Sequence, residues 1–191
     1  MNIPVVLLAA GASSRFGRPK LLLPHRGSSL LRYIARISLA SDASSTIVVL
    51  GAYADLLRAE LADLDVKIIL NPQWATGISS SIHAAIRSLP RDADAVLLTL
   101  CDQPLLSTQL LNAIIAEFAS SGAPVIASAY ADTLGAPALF SRSLFAELSG
   151  LRGDSGAKQL IHAHLDEVRR VSFPEGALDI DTESDRSGLP G

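Results

Sequence analysis

The stretch "VVLLAAGASSRFGRPKLLLP", Val5 to Pro24, sets a continuous apolar run directly against a loop of small residues that carries two arginines and then Lys20. A run that is apolar at every position, with no alternation, reads as a strand covered on both faces, as in a parallel sheet. Comparable runs recur at Pro4 to Ala9, Thr46 to Leu50, Val66 to Leu70, Ala95 to Leu100 and Pro124 to Ala127. Between them lie segments of helical period, for example Ile78, Ile82, Ile86 and Leu89, and then Leu110, Leu111, Ile114, Ile115 and Phe118. Each marks one apolar helix stripe. Strand and helix in alternation predict an α/β fold, a mostly parallel central sheet with helices on both faces.

At roughly 150 residues per domain, the 191 residues argue for one domain. After Tyr130 the pattern changes: Gly135-Ala136-Pro137 precedes a short apolar stretch, helical segments follow at Ser141 to Leu148 and Ser155 to His164, and an extended piece covers Val168 to Phe173. Residues 1–129 and 130–185 therefore read as two halves of that domain, with 186–191 as a frayed tail. A formal net charge of -3 gives no basic footprint for nucleic acid. No stretch approaches the roughly 18 apolar residues of a membrane helix, and Met-Asn-Ile-Pro lacks the basic start of a signal peptide. Cys101 is the single cysteine, so no internal disulfide forms. These features predict a cytoplasmic protein with small-molecule partners, no nucleic acid and no membrane.

In open α/β sheets, ligands sit beyond the carboxyl ends of the strands. The loop "AAGASSRFGRPK" leaves the first strand, yet it matches neither G-x-G-x-x-G nor the Walker pattern G-x-x-x-x-G-K-[ST]. Its small residues would still let backbone N–H groups approach a triphosphate, with Arg15 and Lys20 adding charge-assisted hydrogen bonds. In "LLTLCDQPLLS" Asp102 follows a strand and reads either as a Mg²⁺ ligand or as an Asx turn that starts the next helix. Cys101 reads as a small buried strand-end residue. In "LDIDTESD" Asp179 and Asp181 share one face of an extended segment and could bring a second carboxylate to a metal, or could form a solvated connection; Asp185 reads as surface or cap. "NPQWATGISSSI" offers either a helix N-terminus with hydroxyls to a ligand or ordinary capping. In "LRGDSGAKQLI" Asp154 reads as an N-cap, and Arg152 and Lys158 as contacts for an anionic acceptor. No His/Cys spacing supports zinc, and no Ser-His-Asp set stands out.

Taken in order, these motifs resemble the molybdenum cofactor cytidylyltransferase (MocA-like) branch of the MobA-like NTP transferases. "LAAGASSRFGRPK" is similar to that family's LAAGxSxRxGxxK loop, "NPQWATGISSSI" to its NPxWxxGxxxS segment, and "CDQP" to its Asp-x-Pro motif. "LRGDSGAK" resembles its LxGDxGAR/K helix start and "DIDTESD" its DIDTPED end. The resemblance implies a Rossmann-like, GT-A-like nucleotidyltransferase fold. It implies that CMP passes from Mg-CTP to the terminal phosphate of molybdopterin or the molybdenum cofactor, with release of pyrophosphate.

Carried onto this sequence, Leu8, Ala9, Ala10, Gly11, Ala12, Ser13, Ser14 and Arg15 would bind the nucleotide, with the Gly11 to Ser14 backbone and Arg15 holding its triphosphate. Lys20 would act at the α-phosphate, and Asp102 with Asp181 would hold Mg²⁺, Mn²⁺ being the second candidate ion. Lys20, Arg15 and Asp102 are then the expected catalytic set. Asn71, Gly77 and Ser79 would line the nucleotide site, and Trp74, Gly135, Pro137, Asp154, Gly156 and Lys158 the acceptor site. Ala10 suits the cytidylyl branch, whereas Cys101 before Asp102 is commoner in the guanylyl branch, which keeps GTP as the second nucleotide. A sugar phosphate is the second candidate acceptor. The reading outside catalysis is a cofactor-binding protein that delivers its load to a molybdoenzyme.

Overall fold

The computed structural model describes residues 1–13 and 16–177. Ser14, Arg15, Asp179, Asp181, Asp185 and the 186–191 tail lie outside the described residues.

The strands are β1 (Val5–Ala9), β2 (Pro24–His25), β3 (Ser28–Ser29), β4 (Thr46–Leu50), β5 (Lys67–Leu70), β6 (Ala95–Leu100), β7 (Val125–Tyr130), β8 (Thr133–Ser141) and β9 (Val168–Ser172). The helices are α1 (Leu30–Leu39), α2 (Ala54–Ala59), α3 (Ile78–Ser88), α4 (Thr108–Ser121), α5 (Phe145–Gly150) and α6 (Lys158–Ala163). A seven-stranded sheet runs in the order β5-β4-β1-β6-β8-β7-β9, and β2 pairs with β3 in a small hairpin of its own. Within the seven-stranded sheet β8 runs antiparallel to both neighbours, while β1 pairs in parallel with β4 and β6, and β7 with β9.

The unbroken apolar runs have a direct structural cause. Val5, Leu7 and Ala9 of β1 face one core together with Ala95 and Leu97 of β6, under α1, α2 and α4. Val6 and Ala10 face the other with Val96 and Leu98, under α3, α5 and α6. Both faces of the central strands are therefore dry, and the sheet is the doubly covered type expected from the sequence.

Capping fixes where two long helices start. The Ser29 side chain accepts from the Arg32 N–H at 3.2 Å at the head of α1, and Ser107 accepts from the Leu110 N–H at 3.2 Å at the head of α4. Among the described residues, no helix is long and apolar enough to cross a membrane.

Candidate active site

The chain leaving β1 folds back upon itself. Ser13 takes a left-handed backbone conformation, and its carbonyl accepts from the N–H groups of Phe16 at 2.9 Å and Gly17 at 3.2 Å. Its hydroxyl accepts from the Lys20 N–H at 3.4 Å, so the loop returns Lys20 to the carboxyl end of the sheet. A Cβ placed on Gly11 would meet no atom within 4 Å, which leaves this backbone open to a ligand.

Lys20 reaches the loop after β6, where its Nζ donates to Asp102 Oδ2 at 2.6 Å. The two side chains are 17% and 23% exposed. The other oxygen, Asp102 Oδ1, is buried and has no hydrogen-bond partner among the described residues. Helix α4 is capped by Ser107, so Asp102 does not start it; the Asx-turn reading gives way to the ion pair. Cys101 is 2% exposed, and burial, with the Asp102 carboxylate beside it, pushes its thiol pKa up, which disfavours the thiolate and agrees with a buried strand-end residue. On the far side of this loop, buried His25 donates from Nε2 to the Pro104 carbonyl at 3.0 Å. Burial lowers its pKa, which favours the neutral ring.

The third wall comes from the segment after β5. Asn71 is buried and fully used: Nδ2 donates to Ser80 Oγ at 2.8 Å and Ser81 Oγ at 3.0 Å, while Oδ1 accepts from the Gln73 N–H at 3.0 Å. It braces the turn from beneath. Trp74 packs on Gly51, where a Cβ would stand 2.5 Å from Trp74 Cβ and 2.7 Å from the Ala10 carbonyl oxygen. Gly77, at φ +109°, lies against the backbone of Gly153, whose carbonyl accepts from the Ser79 N–H at 3.2 Å. The serines after Gly77 do not cap α3, which has no side-chain cap; Ser80 Oγ donates back to the Gly77 and Gln73 carbonyls.

These walls enclose a cavity of about 390 Å³. Of the residues singled out in the sequence, Leu8, Ala9, Ala10, Gly11, Ala12, Ser13, Lys20, Trp74, Gly77, Asp102 and Asp154 line it. Asn71 and Ser79 support it from behind. Gly135, Pro137, Gly156 and Lys158 are not among its lining. Gly135 lies under the Tyr130 ring, with an added Cβ 3.1 Å from Cζ, and Pro137 offers its carbonyl to buried Ser128 Oγ at 2.8 Å, so both shape the β7–β8 hairpin. Phe16 and Leu21 line the cavity without standing out in the sequence, because their apolar character matches core positions equally well; Ile78, read there as part of a helix stripe, and Ser81, one of the serines after Gly77, line it too.

A model of the MobA-like NTP transferase domain matches residues 5–168. The chain belongs to this family. The purine catabolism protein PucB of Bacillus subtilis is 30% identical to this MobA-like transferase over 171 residues, 82% of this chain and 78% of PucB. The nicotine blue oxidoreductase of Paenarthrobacter nicotinovorans is 36% identical over 111 residues, 58% of this chain, and the match spans only 54% of that relative's length. The crystal structure of Rv0371c from Mycobacterium tuberculosis superposes with a TM-score of 0.86 at 31% identity, covering 98% of this chain and 97% of that one. A manganese complex of Rv0371c superposes at 0.83.

The matching family is one of NTP transferase domains, and the site has a donor set that suits such a domain. A cation and a carboxylate meet at the strand ends, beside a loop whose backbone is open. Asp102 Oδ1, a buried carboxylate oxygen with no partner among the described residues, fits a hard divalent cation. Among the described residues no group of three or more His, Cys, Asp or Glu is placed to share an ion, so Asp102 would be the described protein ligand in a set completed by phosphate oxygens and waters.

The structure also corrects the reading of Asp154. The N-cap of α6 is Ala157, with no side-chain cap, so Asp154 does not cap that helix and lines the cavity instead. Arg152 donates to the Gly150 carbonyl at 3.0 Å and the Leu151 carbonyl at 2.8 Å, which closes the end of α5.

His164, just after α6, ties that end of the chain back to α5. Its Nε2 lies 2.9 Å from Glu147 Oε2 on α5, and its Nδ1 lies 3.2 Å from Glu167 Oε1. Both carboxylates raise the His164 pKa above its ordinary value of 6.5. The stability this adds is complete below pH 6.5 and is lost as pH rises through the higher folded value. We expect His164→Gln to lower Tm by roughly 1–3 °C at pH 6, the scale of one surface ion pair. The difference from wild type should shrink by pH 9 in thermal melts; an equal difference at both pH values would contradict it.

Proposed function

We propose that this nucleotidyltransferase joins CMP from Mg-CTP to the phosphate of molybdopterin or its molybdenum form, releasing pyrophosphate. The observation that carries the reading is the pairing of Lys20 with Asp102 across an open backbone loop at the strand ends. We further propose that 1–129 supplies the nucleotide half of one domain, that 130–185 supplies the acceptor half, and that the protein works in the cytoplasm on small molecules.

An acceptor phosphate oxygen forms the new bond to the α-phosphorus, and the bond from that phosphorus to the bridging oxygen of pyrophosphate breaks. A phosphate monoester already carries negative charge, so positioning and charge neutralisation dominate and no strong general base is required. The described lining suits this, since it contains no histidine. The backbone from Ala9 to Ser13 would hold the triphosphate, and Lys20 would neutralise charge at the α-phosphate. Asp102, with Asp181 as the second carboxylate implied by the sequence motif, would hold a divalent cation, whose contribution is charge neutralisation on the phosphates. The manganese complex of the Rv0371c relative supports a divalent ion here. Ala10, which lines the cavity together with Trp74 and matches the cytidylyl-branch form of the loop motif, supports CTP.

The test is pyrophosphate release by the purified protein with each of four NTPs, crossed with molybdopterin and a sugar phosphate as acceptors. CTP with molybdopterin should be the fastest pair. A faster GTP arm would make the protein a guanylyltransferase, and a faster sugar-phosphate arm would replace the acceptor. Molybdopterin binding without pyrophosphate release in any arm would make it a carrier.

A further inference from the structure

We propose that Gln103 is a positioning residue that holds Asp102 in register with the half of the chain beyond Tyr130. The proposal rests on the nucleotidyl-transfer reading above. Gln103 follows Asp102 but is not in the lining of the cavity; it is 1% exposed, enclosed behind the loop. Its Nε2 donates to the Ala136 carbonyl of β8 at 3.1 Å and lies 3.5 Å from the Gly176 carbonyl, in the turn Pro174–Ala177. One amide thus joins three segments that are remote in sequence.

The need for that amide arises in the sheet. The pairing of β7 with β8 slips between Ala127 and Ser128, where Ala127 faces Ala138 but Ser128 faces Gly135. Ala136 and Pro137 fall in this bulge, between the paired positions of the ladder, and a bulge leaves backbone groups to be met by something else. Ser128 Oγ meets the Pro137 carbonyl at 2.8 Å, and Gln103 Nε2 meets that of Ala136. Packing alone does not account for a glutamine here. Its Oε1 is buried without a partner among the described residues, and an apolar side chain of the same length would fill the space without that orphan. What the glutamine adds is a fixed tie between the Asp102 loop and β8, and a displaced loop would misplace the carboxylate that meets the cation.

The test compares full-length wild type, Gln103→Met and Ser128→Ala. Gln103→Met keeps the length and loses the donor. Ser128→Ala disturbs the same bulge without touching the Asp102 loop, and so measures the purely structural effect. Mn²⁺ affinity in the presence of CTP is read by electron paramagnetic resonance, and the Mg²⁺ dependence of pyrophosphate release is read beside it. Gln103→Met should weaken Mn²⁺ binding roughly 10-fold or more, the scale seen for groups that orient a metal ligand. It should raise the half-saturating Mg²⁺ in parallel, while kcat at saturating Mg²⁺ changes far less. Ser128→Ala should leave Mn²⁺ affinity near wild type. If Gln103→Met does not fold, Gln103→Glu, with the same reach, carries the same expectation. Unchanged Mn²⁺ affinity in the glutamine variant, or an equal loss in Ser128→Ala, overturns the positioning role and leaves the transferase reading standing. A wild type that binds no Mn²⁺ with CTP and releases no pyrophosphate overturns both.

Discussion

Asp102→Ala lowers the rate of pyrophosphate release roughly 10²-fold or more, the scale of removing one preorganised electrostatic group from a reacting centre. The size follows from the two oxygens doing different things. Oδ2 holds Lys20 Nζ at 2.6 Å, and Oδ1 is the buried atom left to meet a cation. Asp102→Asn keeps the shape but not the charge, and should fall nearly as far. Lys20→Ala breaks the same unit from its other end. Residues that act together are not additive, so the double variant should be little worse than the worse single one. Steady-state kcat and KM at saturating nucleotide, with circular dichroism to confirm folding, measure this. Activity within threefold of wild type after either single change would remove the pair from the mechanism.

Gly77→Ala has the largest expected effect on stability. At φ +109° the backbone favours glycine, and an added Cβ would run into the carbonyl group of Gly153 and stand 2.8 Å from the Asp154 nitrogen. Backbone strain and overpacking each cost about 1–3 kcal/mol, and together about 3–5 kcal/mol. At roughly 2–4 °C per kcal/mol for a chain of this size, Tm should drop by about 10 °C. Urea unfolding checks the free energy, and nucleotide binding should weaken as the Gly153 segment is pushed off α3. Gly11→Ala is the contrasting case: nothing lies within 4 Å of the new methyl, so Tm should stay put. Equal melting losses in both variants would defeat the steric account.

The sequence made the central sheet legible because β1, β4 and β6 are dry on both faces, and only unbroken apolar runs can fill such positions. The place of β8 was not legible. Its pairing between β6 and β7 is non-local, and no residue pattern within Thr133–Ser141 encodes which edge it joins. The site divides along similar lines. Lys20 and Asp102 stand out as charges set beside apolar strands, where structure alone gives them little to do. Gly51 and Gln103 do not stand out, because one acts through the absence of a side chain beneath Trp74 and the other through carbonyls that a bulge exposes. Gly135 and Pro137 illustrate the converse: a conspicuous sequence feature that, in the fold, shapes a hairpin.

The reversed strand also has a consequence for how the chain is assembled during synthesis. Once Leu100 has emerged, β5, β4, β1 and β6 can join as a parallel block, but the outer edge of β6 stays bare. Its mate is the end of β8, where Leu98 faces Ala138 and Ala95 faces Ser141. β7, although made earlier, lies beyond β8 in the sheet, so it reaches the block only through β8, and β9 pairs with β7 in turn. Until residues 133–141 are available, the outer edge of β6 has no strand partner, and an unpaired edge is a surface with which another chain can pair.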